Sequence, residues 1–135
     1  MGDFFQSISL AAQGLKAQAS RMRIIAENMA NADSTPAKAG DMPYRRKIIT
    51  FQRTLEDGMA GVKIGRTARD TSAFPTRYEP GHPAADARGF VQKANVDSLI
   101  ESMDMREAQR SYEANVSVIG ATRRMIARTL DILKL

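Results

Sequence analysis

Between Asn95 and Leu135 large apolar residues recur at a strict step of seven, at Met105, Tyr112, Ile119, Ile126 and Leu133. A second column four positions on reads Gln109, Val116, Arg123 and Leu130, so that Val116 and Leu130 widen the stripe. Polar residues fill the intervals; from Asp97 onward there is no proline, and Gly120 is the only glycine. Such a pattern predicts one long helix that lays a narrow seam against another helix. At the α-helical rise the segment is about 55 Å long, well beyond a typical globular helix.

The first thirty-odd residues repeat the pattern. Ile8, Leu15, Met22 and Met29 form a column at the same step, Ala12, Ala19 and Ala26 form a second, and Ala11 and Ile25 add to the stripe. The small alanines would let a partner helix approach closely. A helix is predicted from about Asp3 or Gln6 to about Ala32, weakened at Gly14 by roughly 1 kcal/mol relative to alanine. It stops where Asn28, Asn31, Asp33, Ser34 and Thr35 favour caps and turns and Pro36 cannot continue.

Residues 36–94 differ in kind, holding all five prolines and six of the nine glycines. Short β-type runs are predicted at Tyr44–Phe51, Val62–Ile64 and Gly89–Gln92, with turn chemistry at Glu56-Asp57-Gly58 and Gly61. The segment has too few large apolar residues for an independent core. The second helix restarts at Asn95-Val96-Asp97-Ser98, with Ser98 and Glu101 spaced as a capping box. Its acids cluster early and its bases late, which complements the helix dipole. The expected fold is mainly α: long N- and C-terminal helices, residues 1–35 and 95–135, pair as a coiled-coil-like hairpin and form one domain. A small β and loop insert, residues 36–94, lies between them.

Composition sharpens this picture in three ways. Without cysteine there is no disulfide, thiolate metal site or cysteine nucleophile. No apolar run is long enough to span a bilayer, and the opening Met1-Gly2-Asp3-Phe4-Phe5 lacks the basic n-region of a secretory signal. The net charge of +5 falls, by segment, entirely on residues 36–94, which leaves both terminal segments neutral.

Candidate chemistry is sparse. The single histidine, His82, sits in the turn Glu79-Pro80-Gly81-His82-Pro83 and reads as a loop side chain. Asp104 and Glu107 are answered at helical spacing by Arg106 and Arg110. No glycine-rich phosphate loop is present. These features argue against an enzyme, a cofactor, a metal and a small-molecule substrate. Asn115 shares a column with Ala108, Thr122 and Thr129, where a buried asparagine fixes register. Arg45-Arg46-Lys47 beside Tyr44 and Phe51 raises an alternative, a small basic nucleic-acid-binding helical module. Three consecutive charges on a short strand more simply mark a solvated edge.

Several motifs bear a family likeness. They are Asn28-Met29-Ala30-Asn31-Ala32-Asp33-Ser34-Thr35; Pro43-Tyr44-Arg45-Arg46-Lys47; Tyr78-Glu79-Pro80-Gly81-His82-Pro83-Ala84-Ala85-Asp86; Asn95-Val96; and Met103 to Asn115, which includes Glu113 and Ala114. In this order they resemble the rod and hook axial proteins of the bacterial flagellum, and most closely the proximal rod subunits. Met29 replaces a usual leucine, Phe90 a common tyrosine and Ala94 a common proline. The resemblance implies a structural subunit of the rod, in the periplasmic space of the basal body, exported by the flagellar type III apparatus without a cleaved signal peptide. It implies other rod subunits and rod/export-gate junction proteins as partners, with no nucleic acid and no direct membrane insertion. The subunit-packing residues would be Ile8, Leu15, Met22, Ile25, Met29, Met105, Tyr112, Asn115, Val116, Ile119, Ile126, Leu130 and Leu133.

Overall fold

The structure, a computed structural model, describes residues 1–56 and 58–134. Helix α1 (Gly2–Ala30) is followed by β1 (Lys47–Glu56), β2 (Met59–Arg69), β3 (Thr76–Tyr78), β4 (Phe90–Gln92) and α2 (Ser98–Leu133). Half the chain is helical and about a fifth is strand. Strands β1 and β2 form one two-stranded sheet and β3 and β4 another. Strands β1 and β2 run longer than the runs predicted there, β4 is one residue shorter than its run, and β3 has no counterpart among them. In the turn before β2, Gly58 takes a positive φ of 77°; Asp57, the middle of the predicted turn, lies outside the described residues.

The ends of the helices are set by side chains. Asn31 turns its amide back to the Glu27 carbonyl (2.8 Å), and Ser34 Oγ donates to the Asn31 carbonyl (2.8 Å), so α1 stops two residues short of Ala32. At the start of α2 the cap is Asp97. Its carboxylate accepts from the Leu99 N–H (2.9 Å) and its carbonyl from the Glu101 N–H (3.0 Å). The predicted Ser98–Glu101 capping box does not form, because the Glu101 side chain turns inward.

The chain folds as two compact units, both drawing on α1 and α2. The first comprises residues 1–22, 50–66 and 106–135. Here Gly14 faces Asn115, and Arg21 pairs with Glu107 at 3.4 Å, so the helices meet in antiparallel order. The small and polar column of α2 is the one most deeply covered: Ala108 and Thr122 are buried, with Asn115 half-buried between them. The large residues Tyr112, Ile119 and Ile126 are only half-buried. On α1 the covered alanines are Ala11 and Ala17, whereas Ala12 and Ala19 are exposed. Close approach is the reason: where Gly14 meets Asn115, the contact face takes small side chains and pushes bulky ones to its flanks. Strand β2 docks on α1 through Gln13, whose Oε1 accepts from the Val62 N–H at 3.1 Å. A Cβ on Gly61 would collide with that same oxygen, so a larger residue there would push the Gln13 amide off the Val62 N–H.

This contact reverses a propensity argument. Alanine in place of a mid-helix glycine ordinarily stabilises by about 1 kcal/mol, yet a Cβ on Gly14 would lie 2.7 Å from Asn115 Nδ2 and 3.1 Å from its Cγ. Gly14→Ala is therefore expected to lower the melting temperature, and Gly14→Ala/Asn115→Ala to raise it again. Thermal unfolding of the two variants checks this; a Gly14→Ala protein more stable than wild type would show that the seam does not need the gap.

The second unit comprises residues 23–49 and 67–105. Its core is Ile24, Ile25, Ala32, Ala84, Val91 and Ala94. Strands β3 and β4 are antiparallel with Tyr78 opposite Phe90, and the two rings meet edge to face at 5.4 Å. The loop between them is held by Asp86, whose carboxylate accepts from the N–H groups of Arg88 and Phe90 (2.8 and 2.9 Å). Gly89, at φ 85°, closes it. His82 is a loop side chain: Nδ1 accepts from the Ala84 N–H (3.0 Å) and Nε2 lies 3.2 Å from Thr35 Oγ1.

Candidate functional site

The second unit holds a polar cluster built from α1, the segment entering β1, the turn after β2 and the first turn of α2. Asn28 is its centre and is 1% exposed. Its Oδ1 accepts from the Tyr44 hydroxyl (2.8 Å) and the Lys47 N–H (2.9 Å). Its Nδ2 donates to the Lys47 carbonyl (2.9 Å) and to Glu101 Oε2 (3.4 Å). An amide is the one kind of side chain that can accept two hydrogen bonds at one end and donate two at the other.

Glu101, 0% exposed, is held by Arg46, whose Nε donates to Oε1. The same guanidinium reaches Asp70 (3.6 Å) and Asp104 (3.5 Å). A buried carboxylate is tolerated only with a charge partner and satisfied lone pairs, and the fork of an arginine meets three carboxylates where a lysine could not. Burial works against the Arg46 charge, but the hydrogen bond and charge of Glu101, followed by the charges of Asp70 and Asp104, hold it above its ordinary range. The Arg46 N–H donates to Asn95 Oδ1 (2.7 Å), and the Asn95 amide in turn donates to the carbonyls of Asp70 and Ser72 (3.1 Å each).

The neighbouring cations are also engaged. Arg45 Nη1 donates to the Asp70 carbonyl (2.8 Å) while its guanidinium lies over the Phe74 ring at 4.2 Å. Lys47 Nζ pairs with Glu27 at 2.6 Å, and that hydrogen bond is the main cause holding the Glu27 carboxyl below its usual range. The Ser72 N–H does the same for Asp70. Burial pushes the Tyr44 hydroxyl up. The run Arg45-Arg46-Lys47 is thus no solvated edge. Asp104 reaches across to Arg46, and Glu107 to Arg21.

The residues expected to pack against neighbours are placed as follows. Ile25 is buried; Ile8, Leu15, Met22, Met105, Tyr112, Asn115, Ile119 and Ile126 are half-buried; Met29, Val116, Leu130 and Leu133 are exposed. Of the motif residues, Asn28, Tyr44, Arg45 and Arg46 converge in the cluster and Asn31 caps α1. Tyr78, Pro80, Gly81 and Pro83 are placed in the β3–β4 loop and its entry, and Ala30, Glu113 and Ala114 are exposed on the helices. Asn95, from the Asn95-Val96 motif, joins the cluster, whereas Glu101, Asp70 and Glu27 are not among the site residues expected from the sequence. One signal for Glu101 is available there: it stands seven residues before Ala108, in the column that the structure buries.

Two family descriptions match the chain: "Flagella basal body rod protein" over residues 8–37 and "Flagellar basal body rod FlgEFG protein C-terminal" over residues 87–132. Among curated relatives, the flagellar basal-body rod protein FlgC of Agrobacterium fabrum is 48% identical over 93% of this chain and 91% of its own length. The FlgC of Bacillus subtilis is 40% identical over 96% and 98%, and that of Escherichia coli O6:H1 is 39% identical over 91% and 92%.

Proposed function

The chain belongs to the FlgC family of flagellar basal-body rod proteins, and from that premise we propose that it builds the proximal rod by packing its terminal helices against neighbouring subunits. It is a structural component of the basal-body rod and so serves motility. On this reading segments 1–35 and 95–135 act as one axial domain, paired as a coiled-coil-like hairpin. The inserted segment 36–94 wedges between neighbours, and torque passes along the stacked helices of an open helical shaft. The role is structural and needs no cofactor. The neighbours are other rod subunits and rod/export-gate junction proteins, and delivery is by the flagellar type III apparatus to the periplasm. The nucleic-acid alternative has nothing to support it, since Arg45, Arg46 and Lys47 are spent within the fold.

The observation that carries the reading is the set of exposed apolar side chains on α2, among them Val116, Leu130 and Leu133. A seven-residue seam continues onto positions that the chain itself leaves bare. Ile119 and Ile126 are half-buried within the chain, so substituting them would also disturb its own packing. Val116→Asp/Leu130→Asp is the cleaner variant. It is expected to keep wild-type helix content by circular dichroism and to be secreted, but to be missing from purified basal bodies and to abolish swimming. Normal swimming in that variant would overturn the packing model.

A further inference from the structure

Charge is shared unequally between the two units. Residues 1–22, 50–66 and 106–135 carry eleven Lys and Arg against six Asp and Glu, whereas residues 23–49 and 67–105 carry nine of each. The excess that segment-wise counting assigns to the middle of the chain belongs, once folded, to the first unit alone. Within that unit Arg106, Arg110, Arg123, Arg124 and Arg128 are all exposed on α2. Of the acids beside them, Glu107 is paired with Arg21, while Glu113 and Asp131 are exposed.

The same helix carries a second apolar stripe. Val118, Met125 and Ile132 stand at the step of seven and are 46%, 53% and 70% exposed. Ala121 lies between Val118 and Met125, and Ala114 one turn before Val118. At 100° per residue this stripe is about a sixth of a turn from the column that faces α1. Arg110 and Arg128 border it on the side away from α1, and Arg124 lies one step farther round, beside the exposed acids Glu113 and Asp131. The surface therefore has an apolar spine and a basic outer edge.

We infer that this stripe docks an acidic amphipathic helix of a different rod protein, an assignment that rests on the rod-subunit reading above. A narrow seam at heptad spacing fits another helix, and a basic border selects a partner with acids at the flanking positions. A second copy of this unit would bring the same excess of positive charge and be repelled. A lipid surface is served by a broad apolar face with aromatic anchors; this stripe has neither breadth nor an aromatic side chain.

The test uses the full chain and two synthetic four-heptad helices with leucine seams, one edged with glutamate and the other with lysine. The glutamate helix is expected to bind about tenfold more tightly at low salt, with the preference shrinking as salt rises. Arg124→Glu/Arg128→Glu should reverse the preference. A photo-reactive residue at position 125 should cross-link the glutamate helix in solution and, in assembled basal bodies, a net-negative helix of another rod protein. Equal binding of the two helices, a cross-link to a second copy, or flotation with anionic vesicles that depends on the same arginines would each overturn the assignment. Normal swimming of Arg124→Glu/Arg128→Glu, alongside its loss in Val116→Asp/Leu130→Asp, would overturn this surface and leave the rod reading in place.

Discussion

Replacing Arg46 with alanine is expected to destabilise the unit formed by residues 23–49 and 67–105 by about 3–5 kcal/mol, the usual cost of removing one partner of a buried ion pair. The burden falls on Glu101, which is 0% exposed and would be left with one weak donor, Asn28 Nδ2 at 3.4 Å. Since a domain's whole stability is about 5–15 kcal/mol, most of the unit's margin would go. Arg46→Lys should be intermediate, because a single ammonium cannot reach Glu101, Asp70 and Asp104 together. Arg46→Met/Glu101→Gln should recover much of the loss, since it removes both charges and keeps an acceptor for Asn28. Amide hydrogen exchange suits the measurement, because it reports the two units separately. An Arg46→Ala protein within about 1 kcal/mol of wild type would mean that the ion pair contributes little. Basal-body incorporation should fall with stability, as the same cluster fixes the start of β1 and the first turn of α2.

Much of the architecture is legible in the sequence, for a physical reason. The seven-residue step at Met105, Tyr112, Ile119 and Ile126 records helix periodicity whatever the helix packs against, so both helices can be read to within a few residues. Which side of each stripe is most deeply buried cannot be read that way. Apolar volume singles out Ile and Met, but the contact face favours small and polar groups: Ala108, Thr122, and Gly14 against Asn115. The cluster around Asn28 is hidden for a related reason. Arg46 and Glu101 are 55 positions apart, and each has an innocent local reading, one as a strand-edge cation and the other as a capping acid. Only their meeting in space changes those readings. The family motifs do mark Asn28, Tyr44, Arg46, Asn95 and Asp104, but not Glu101, Asp70 and Glu27, the other carboxylates of the cluster.

The isosteric change Asn28→Asp separates hydrogen-bond chemistry from packing, and its effect should be large and pH-dependent. The acceptor end survives, so Tyr44 and the Lys47 N–H keep their partner. The donor end is replaced by an oxygen that faces the Lys47 carbonyl and Glu101 Oε2, two acceptors, one of them charged. Two carboxylates in a buried site hold one of the pair protonated to a higher pH than in the unfolded chain. A folded-state pKa above the unfolded value contributes stability that is present at low pH and lost as the pH rises through the raised value. The variant should therefore be weakest near pH 7, by about 3 kcal/mol or more, and regain stability as the pH falls towards 5. Wild-type protein should behave in the opposite sense. Glu27, Asp70 and Asp86 are held below their ordinary values by Lys47, by the Ser72 N–H and by the Phe90 N–H respectively. Their contribution is in place above the usual carboxylate range, roughly pH 4, and disappears only on further acidification. Urea unfolding of both proteins at pH 7, 6 and 5 should show the gap closing from the variant's side. A gap that stays constant across that range would mean that the introduced carboxylate and Glu101 do not share one buried site, and the cluster would lose its central contact.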